Sequence, residues 1–203
     1  MNIPIYCYVL LLLVSISCQT PSQKPTIEYG QIPNVQVAST DTTLLFQNDV
    51  LYQKGQLFSG VVLEKYANGQ VAARMSYLNG KLENQQQKWY PDGTKMEIRY
   101  YKDNRKMGQH QGWWPDGRQK FVYFIENDIP VGEHREWHSN GQLYSLATYN
   151  DEGQPEGPQK MWYNTGQIKS NFVIKDGRKY GFLGAKGCMG EGERGKVGLT
   201  ANK

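Results

Sequence analysis

Charge is absent from the start of this chain: residues 1–17, MNIPIYCYVLLLLVSIS, contain no Asp, Glu, Lys or Arg. The apolar run from Val9 to Val14 is too short for a transmembrane helix, which needs about 20 residues. It has the length of the h-region of a secretory signal peptide, although the α-amino group alone supplies the positive charge of the n-region. Cysteine is scarce, with Cys7, Cys18 and Cys188 only, which excludes a framework of several disulfides and leaves room for one Cys18–Cys188 bond if Cys18 carries no lipid. Apolar residues make up just 38%, too few for a helical bundle, and no cluster of Lys and Arg interleaved with aromatics marks a nucleic-acid surface. The usual catalytic signatures are missing as well. There is no Gly-x-Ser-x-Gly and no Ser, His and Asp in a recognisable context.

The cleavage region supports two readings at the same bond. Val14-Ser15-Ile16-Ser17-Cys18 resembles a bacterial lipobox, in which the cysteine becomes the lipidated first residue, though Ser15 stands where Leu is preferred. Ser15 and Ser17 equally satisfy the small-x-small rule of ordinary signal cleavage. Both imply export. The first makes Cys18 a membrane anchor facing the periplasm or the cell surface; the second releases a soluble secreted protein. Residues 18–44 are polar, contain three prolines and show little periodicity. They are expected to form a flexible tether spanning roughly 25–30 Å.

What the chain has in quantity is glycine (22) and tyrosine (14), and they recur in phase. An aromatic residue, turn formers and a glycine repeat as Tyr66-Ala-Asn-Gly69, Tyr90-Pro-Asp-Gly93, Trp114-Pro-Asp-Gly117, Trp137-His-Ser-Asn-Gly141 and Tyr163-Asn-Thr-Gly166. The fourth unit has one residue more between aromatic and glycine. A second series, Gly60, Asn84, Gly108, Gly132 and Gly157, precedes the aromatics. Pro-Asp-Gly fixes one φ, supplies a capping side chain and ends on a residue that tolerates positive φ; Asn-Gly is a strong hairpin signal. The flanking segments alternate with period two, as in Val71, Ala73, Met75 and Tyr77, so they read as strands with one buried face.

The expected fold is all-β: an elongated antiparallel β-meander of about five 24-residue hairpin units over residues 45–182, with a disordered tether before it and a Gly-rich tail, 183–203, behind. The glycines Gly69, Gly93, Gly117, Gly141 and Gly166 are structural turn residues in this scheme, and residues 50–60 read as a degenerate opening half-unit. On the phrases Leu57-Phe-Ser-Gly60-Val-Val, Tyr66-Ala-Asn-Gly69-Gln, the Pro-Asp-Gly turns and Tyr163-Asn-Thr-Gly166-Gln, the array resembles MORN-type repeats. It is most similar to the bacterial variant labelled YwqK-like antitoxin or membrane-binding repeat. That resemblance implies binding or scaffolding without catalysis, or neutralisation of a toxin partner.

Five tryptophans stand just before the turns: Trp89, Trp113, Trp114, Trp137 and Trp162. They either ladder across neighbouring strands or form an aromatic strip that grips a protein or polysaccharide; neighbours in a strand point to opposite faces, so one member of each adjacent aromatic pair is expected outside. His134 and His138, four apart in HREWH, lack the glutamate and helix of a zincin pair, and no metal or other cofactor is expected. Gly190 to Lys196 mimics a phosphate loop, but Val197 replaces the hydroxyl residue and too little chain follows for the helix. Cys188 is a possible reactive thiol, with Lys186 and Arg194 the only nearby cations to lower its pKa. The function expected is therefore a non-enzymatic, lipid-anchored envelope module that binds a protein or polysaccharide, with a toxin-neutralising protein as the alternative.

Overall fold

The structure, a computed structural model, describes residues 27–184. The expected signal peptide, Cys18, Cys188 and the run 190–196 with its phosphate-loop spacing lie outside the described residues. Among the described residues there is no helix. Four short strands come first: β1 (Gln36–Ala38), β2 (Leu44–Gln47), β3 (Val50–Gln53) and β4 (Gln56–Leu57). The repeats follow as β5 (Gly60–Lys65), β6 (Val71–Leu78), β7 (Lys81–Leu82), β8 (Asn84–Trp89), β9 (Lys95–Lys102), β10 (Arg105–Lys106), β11 (Gly108–Trp113) and β12 (Gln119–Glu126). They continue as β13 (Ile129–Pro130), β14 (Gly132–Trp137), β15 (Leu143–Tyr149), β16 (Pro155–Trp162), β17 (Ile168–Lys175) and β18 (Arg178–Phe182). The long strands form one sheet in sequence order from β5 to β18, each antiparallel to its neighbours. This is the hairpin meander that the repeat pattern implies.

The two ends of each hairpin use different turns. At one end, the glycine N–H of Tyr66-Ala-Asn-Gly69 and its four counterparts donates to the carbonyl three residues back at 2.8–2.9 Å. These glycines sit at φ +82° to +87°, the left-handed region that the motif reserves for them. Asn68, Asp92, Asp116 and Asn140 each cap the turn by accepting the N–H two residues on. A register shift accompanies every such turn, falling just before Lys65, Trp89, Trp113, Trp137 and Trp162. At the other end, Asn79-Gly80, Asp103-Asn104, Asn127-Asp128 and Asp176-Gly177 make two-residue hairpins with both φ positive, the mirror-image turn whose twist suits a hairpin.

The anomaly of the fourth unit disappears in three dimensions. His138, not Trp137, takes the register of Tyr66, Tyr90 and Trp114: its N–H bonds Gln142 and its carbonyl accepts Gly141. Trp137 thereby aligns with Trp89, Trp113 and Trp162, each the last residue of its strand. The extra residue of the last spacing sits instead in the turn Asn150–Gln154, a longer loop in which Gly153 bonds back to Asn150.

Of the expected tether, residues 18–26 lie outside the described residues, and only the part from residue 27 departs from expectation. Residues 27–44 are laid against the repeats. Gly30 N–H donates to the carboxylate of Glu83, Lys102 Nζ donates to the Glu28 carbonyl, and the Tyr29 ring packs on Tyr100 at 5.9 Å. β1 then pairs parallel with β5, covering that edge of the sheet. Proline and polar residues made this stretch look unstructured, but its partners are distant residues rather than neighbours. The opening half-unit departs from expectation too: β3 and β4 form a hairpin with β2 in a separate three-stranded sheet. That small sheet closes over Leu51, Phe58, Val62 and Tyr77, the principal apolar cluster, with Val37, Leu44, Met75 and Leu82 at its margin.

Candidate functional site

The turn aromatics link each repeat to the next. Tyr66 Oη donates to the Trp89 carbonyl at 2.7 Å, Tyr90 Oη to the Trp113 carbonyl at 2.9 Å, and Trp114 Nε1 to the Trp137 carbonyl at 3.2 Å. His138 Nε2 meets the Trp162 carbonyl at 3.1 Å in the same way. The register shift frees that carbonyl from its ladder, and the aromatic one repeat earlier satisfies it. This hooking alters the expected alternation: Trp89, Tyr90, Trp113 and Trp114 are all half-buried, and of the three adjacent pairs only Trp162/Tyr163 has an exposed member, Tyr163.

The five tryptophans do not share one strip. Trp89 lines a shallow groove with Leu63, Val71, Arg74 and Gln87. Trp114 and Trp137 line another, of about 340 Å³, with Lys120, Phe121, Tyr123, Glu136 and Tyr144. Gln87 and Phe121 belong to adjacent cross-strand rows, since Gln87 pairs with Ile98 while Phe121 continues the row of Glu97 and Gly112. The two grooves therefore open on opposite faces of the sheet. Lys120 Nζ stands 4.6 Å from the Trp114 ring centre, and Lys95 Nζ 5.3 Å from Trp113.

Beneath the Trp114 groove runs a ladder that the sequence pattern hid. Gln86, His110, His134 and Gln159 stand at one register position in successive repeats. Each reaches the backbone carbonyl of the preceding strand: Ser76 (3.0 Å), Tyr100 (3.0 Å), Phe124 (2.8 Å) and Thr148 (2.8 Å). These carbonyls lie one repeat apart, so the ladder satisfies a polar group the sheet would otherwise bury. His110 is fully buried, and among the described residues its Nδ1 has no hydrogen-bond partner. Burial holds the pKa of both histidines below the ordinary imidazole value. His134 is sandwiched between Tyr123 at 4.9 Å and Tyr149 at 4.8 Å, and Tyr123 stacks on Phe121 at 4.7 Å. Burial, and then the adjacent Glu136, push the Tyr123 hydroxyl well above the usual phenol range.

One carboxylate on this face is doubly paired. Glu97 takes Lys88 Nζ at 3.0 Å and Arg99 NH2 at 3.0 Å. Burial acts to raise its pKa, but the two cations outweigh it and hold the carboxyl below its usual value. His134 and His138 are committed to carbonyls of different strands, and among the described residues no group of three His, Cys, Asp or Glu side chains gathers for a metal. A larger cleft, about 640 Å³, opens where residues 27–28 cross the sheet beside Met107, Phe124, Ile125 and Val131. Sequence reasoning missed it because it exists only once that segment is docked.

What the arrangement offers chemically is a surface of aromatic rings with Lys120 and Glu136 beside them, built on a repeated hairpin. No curated protein matches the chain. Three stretches of the array, residues 58–79, 130–151 and 155–173, match the MORN repeat variant, a non-catalytic repeat that generally binds proteins or membranes.

Proposed function

We propose that this protein is a non-enzymatic binding or scaffolding module of a bacterial cell envelope, lipid-anchored at Cys18, and that the Trp114–Trp137 groove takes its protein or polysaccharide partner. The observation that carries this reading is the groove itself. Trp114, Phe121, Tyr123, Trp137 and Tyr144 converge there, with Lys120 and Glu136 at the rim. Aromatic faces with a few charged groups suit both sugar rings and peptide side chains, and half-buried rings lose little conformational freedom on binding. The chemistry of residues 14–18 supports the anchor.

The test pairs two measurements. Full-length protein is expected to capture a defined envelope protein or polysaccharide, and the double substitution Trp114→Ala with Tyr144→Ala is expected to abolish capture while leaving the circular dichroism unchanged. Equal capture by the variant removes the groove from the proposal, and capture of nothing removes the module. Labelling of cells with a fatty-acid probe is expected to mark the chain, and Cys18→Ser to eliminate the label; an unlabelled wild type overturns the anchor.

A further inference from the structure

Exposed large apolar side chains gather at the two ends of the array. Of those in the described residues, Val35, Leu45, Phe46 and Leu57 belong to the N-terminal cap, while Ile168, Val173, Tyr180, Phe182 and Leu183 belong to the last hairpin. Between the ends, only Ile129, at 40%, shares that exposure before the fifth turn at Tyr163. Repeat arrays ordinarily finish in units with a polar outer face, because a terminal unit has no neighbour to cover it. Here both terminal units expose several large apolar side chains.

The backbone repeats the pattern. β18 pairs with β17 and with no other strand among the described residues, and all five of its residues are exposed. At the opposite end, β2 is one of the two outer strands of the small sheet and the longer of them, four residues with three exposed. Free edges of this kind are templates for another strand. Charge decides which. The last hairpin carries Lys169, Lys175, Arg178 and Lys179 against Asp176, a net +3. The cap from Gln36 to Phe58 carries Asp41 and Asp49 against Lys54, a net −1. Two C-terminal ends brought together would repel; a C-terminal end and a cap attract.

We infer that the protein associates with copies of itself head to tail, the β18 edge of one copy docking on the β2 edge and exposed Leu45 and Phe46 of the next. Such an interface is heterologous: each copy offers one head and one tail, so assembly continues into an open row or closes as a ring. The inference is independent of the groove and its partner, since neither end contributes to it.

Phe46 is 62% exposed and Phe182 52%, so an aspartate at either place leaves the fold intact, which circular dichroism checks. Sedimentation velocity is run on the mature chain from Cys18 onward, in a mild detergent that keeps any lipid anchors from associating. The wild type is expected to form species beyond a dimer that grow with concentration and shrink as salt is raised. Phe46→Asp has a blocked head and Phe182→Asp a blocked tail, so each alone is expected to be monomeric. Mixed in equal amounts they retain one good head and one good tail, and are expected to form a dimer and nothing larger. A wild type that is monomeric at every concentration overturns the inference, as does a mixture that stays monomeric. Dimerisation of Phe46→Asp alone would mean tail-to-tail contact, and of Phe182→Asp alone head-to-head contact; each overturns it too.

Discussion

Glu83, buried beneath the sheet's surface, accepts the Gly30 N–H on one carboxylate oxygen at 2.8 Å and the Asp103 N–H on the other at 3.0 Å. A single side chain thus holds the incoming segment against a turn of the repeats. Glu83→Gln turns one acceptor into a donor that faces a donor, at a cost of about 1–3 kcal/mol for the group left unsatisfied. Hydrogen exchange at Gly30 and proteolysis within residues 27–35 are expected to accelerate while β11–β17 stay protected. Unchanged protection at Gly30 would show that the carboxylate is not what holds it.

The histidine ladder predicts a pH dependence with a definite sign. His110 and His134 are held neutral by burial, so their folded pKa values lie below those of the unfolded chain, near 6.5. Below that pH the unfolded state binds more protons, and stability falls as pH drops from about 7 towards 5. The repeats themselves supply the control, because Gln86 and Gln159 make the same bond to a carbonyl without titrating. The double variant His110→Gln, His134→Gln is expected to flatten the stability curve over that window. Loss on account of Glu97, whose folded pKa is lowered, comes only at more acidic pH and should persist in the variant. A wild type and variant with parallel curves between pH 7 and 5 would refute the assignment.

Two glycines separate packing from backbone conformation. Gly112 has no positive φ, yet a Cβ there would enter the Phe121 ring, which lies opposite it in the ladder. Gly117 has open space around it but sits at φ +82°. Gly112→Ala is expected to cost about 1–3 kcal/mol or more through overpacking, and Gly117→Ala about 1 kcal/mol through strain. Urea denaturation orders them; a larger loss at Gly117 would reverse the argument.

Tyr90→Phe removes only the hydroxyl that satisfies the Trp113 carbonyl. The expected loss is about 0.5–1.5 kcal/mol, seen as a lower urea midpoint at constant slope. No shift in midpoint would mean that water replaces the phenol without penalty.

Much of this architecture is local chemistry and was open to reading. Positive φ at Gly69 or Gly93 is demanded by the residues of the turn itself, and Asn84 occupies a glycine position because asparagine tolerates the same φ, here +64°. The features that escaped are those whose cause lies elsewhere in the chain. The segment at Tyr29 looks like a tether until Glu83, Tyr100 and Lys102 are beside it. Trp137 looks like the turn aromatic of its unit until hydrogen bonding gives that place to His138. Gln86 and His134 do the same work with different chemistry, so their common register shows only when the strands are aligned.

The distant partners of the N-terminal segment also set an order of events. Every long strand from β5 onward finds its partners within about one repeat of itself, so the sheet can lengthen as the chain is made. Glu28, Gly30 and Asp49 instead wait for Lys102, Glu83 and Asn104, which emerge 74, 53 and 55 residues later. The first segment of the described chain is therefore among the last to settle. Until at least the second repeat and its following turn have formed, the cap and the apolar surface it covers remain open to whatever the nascent chain meets.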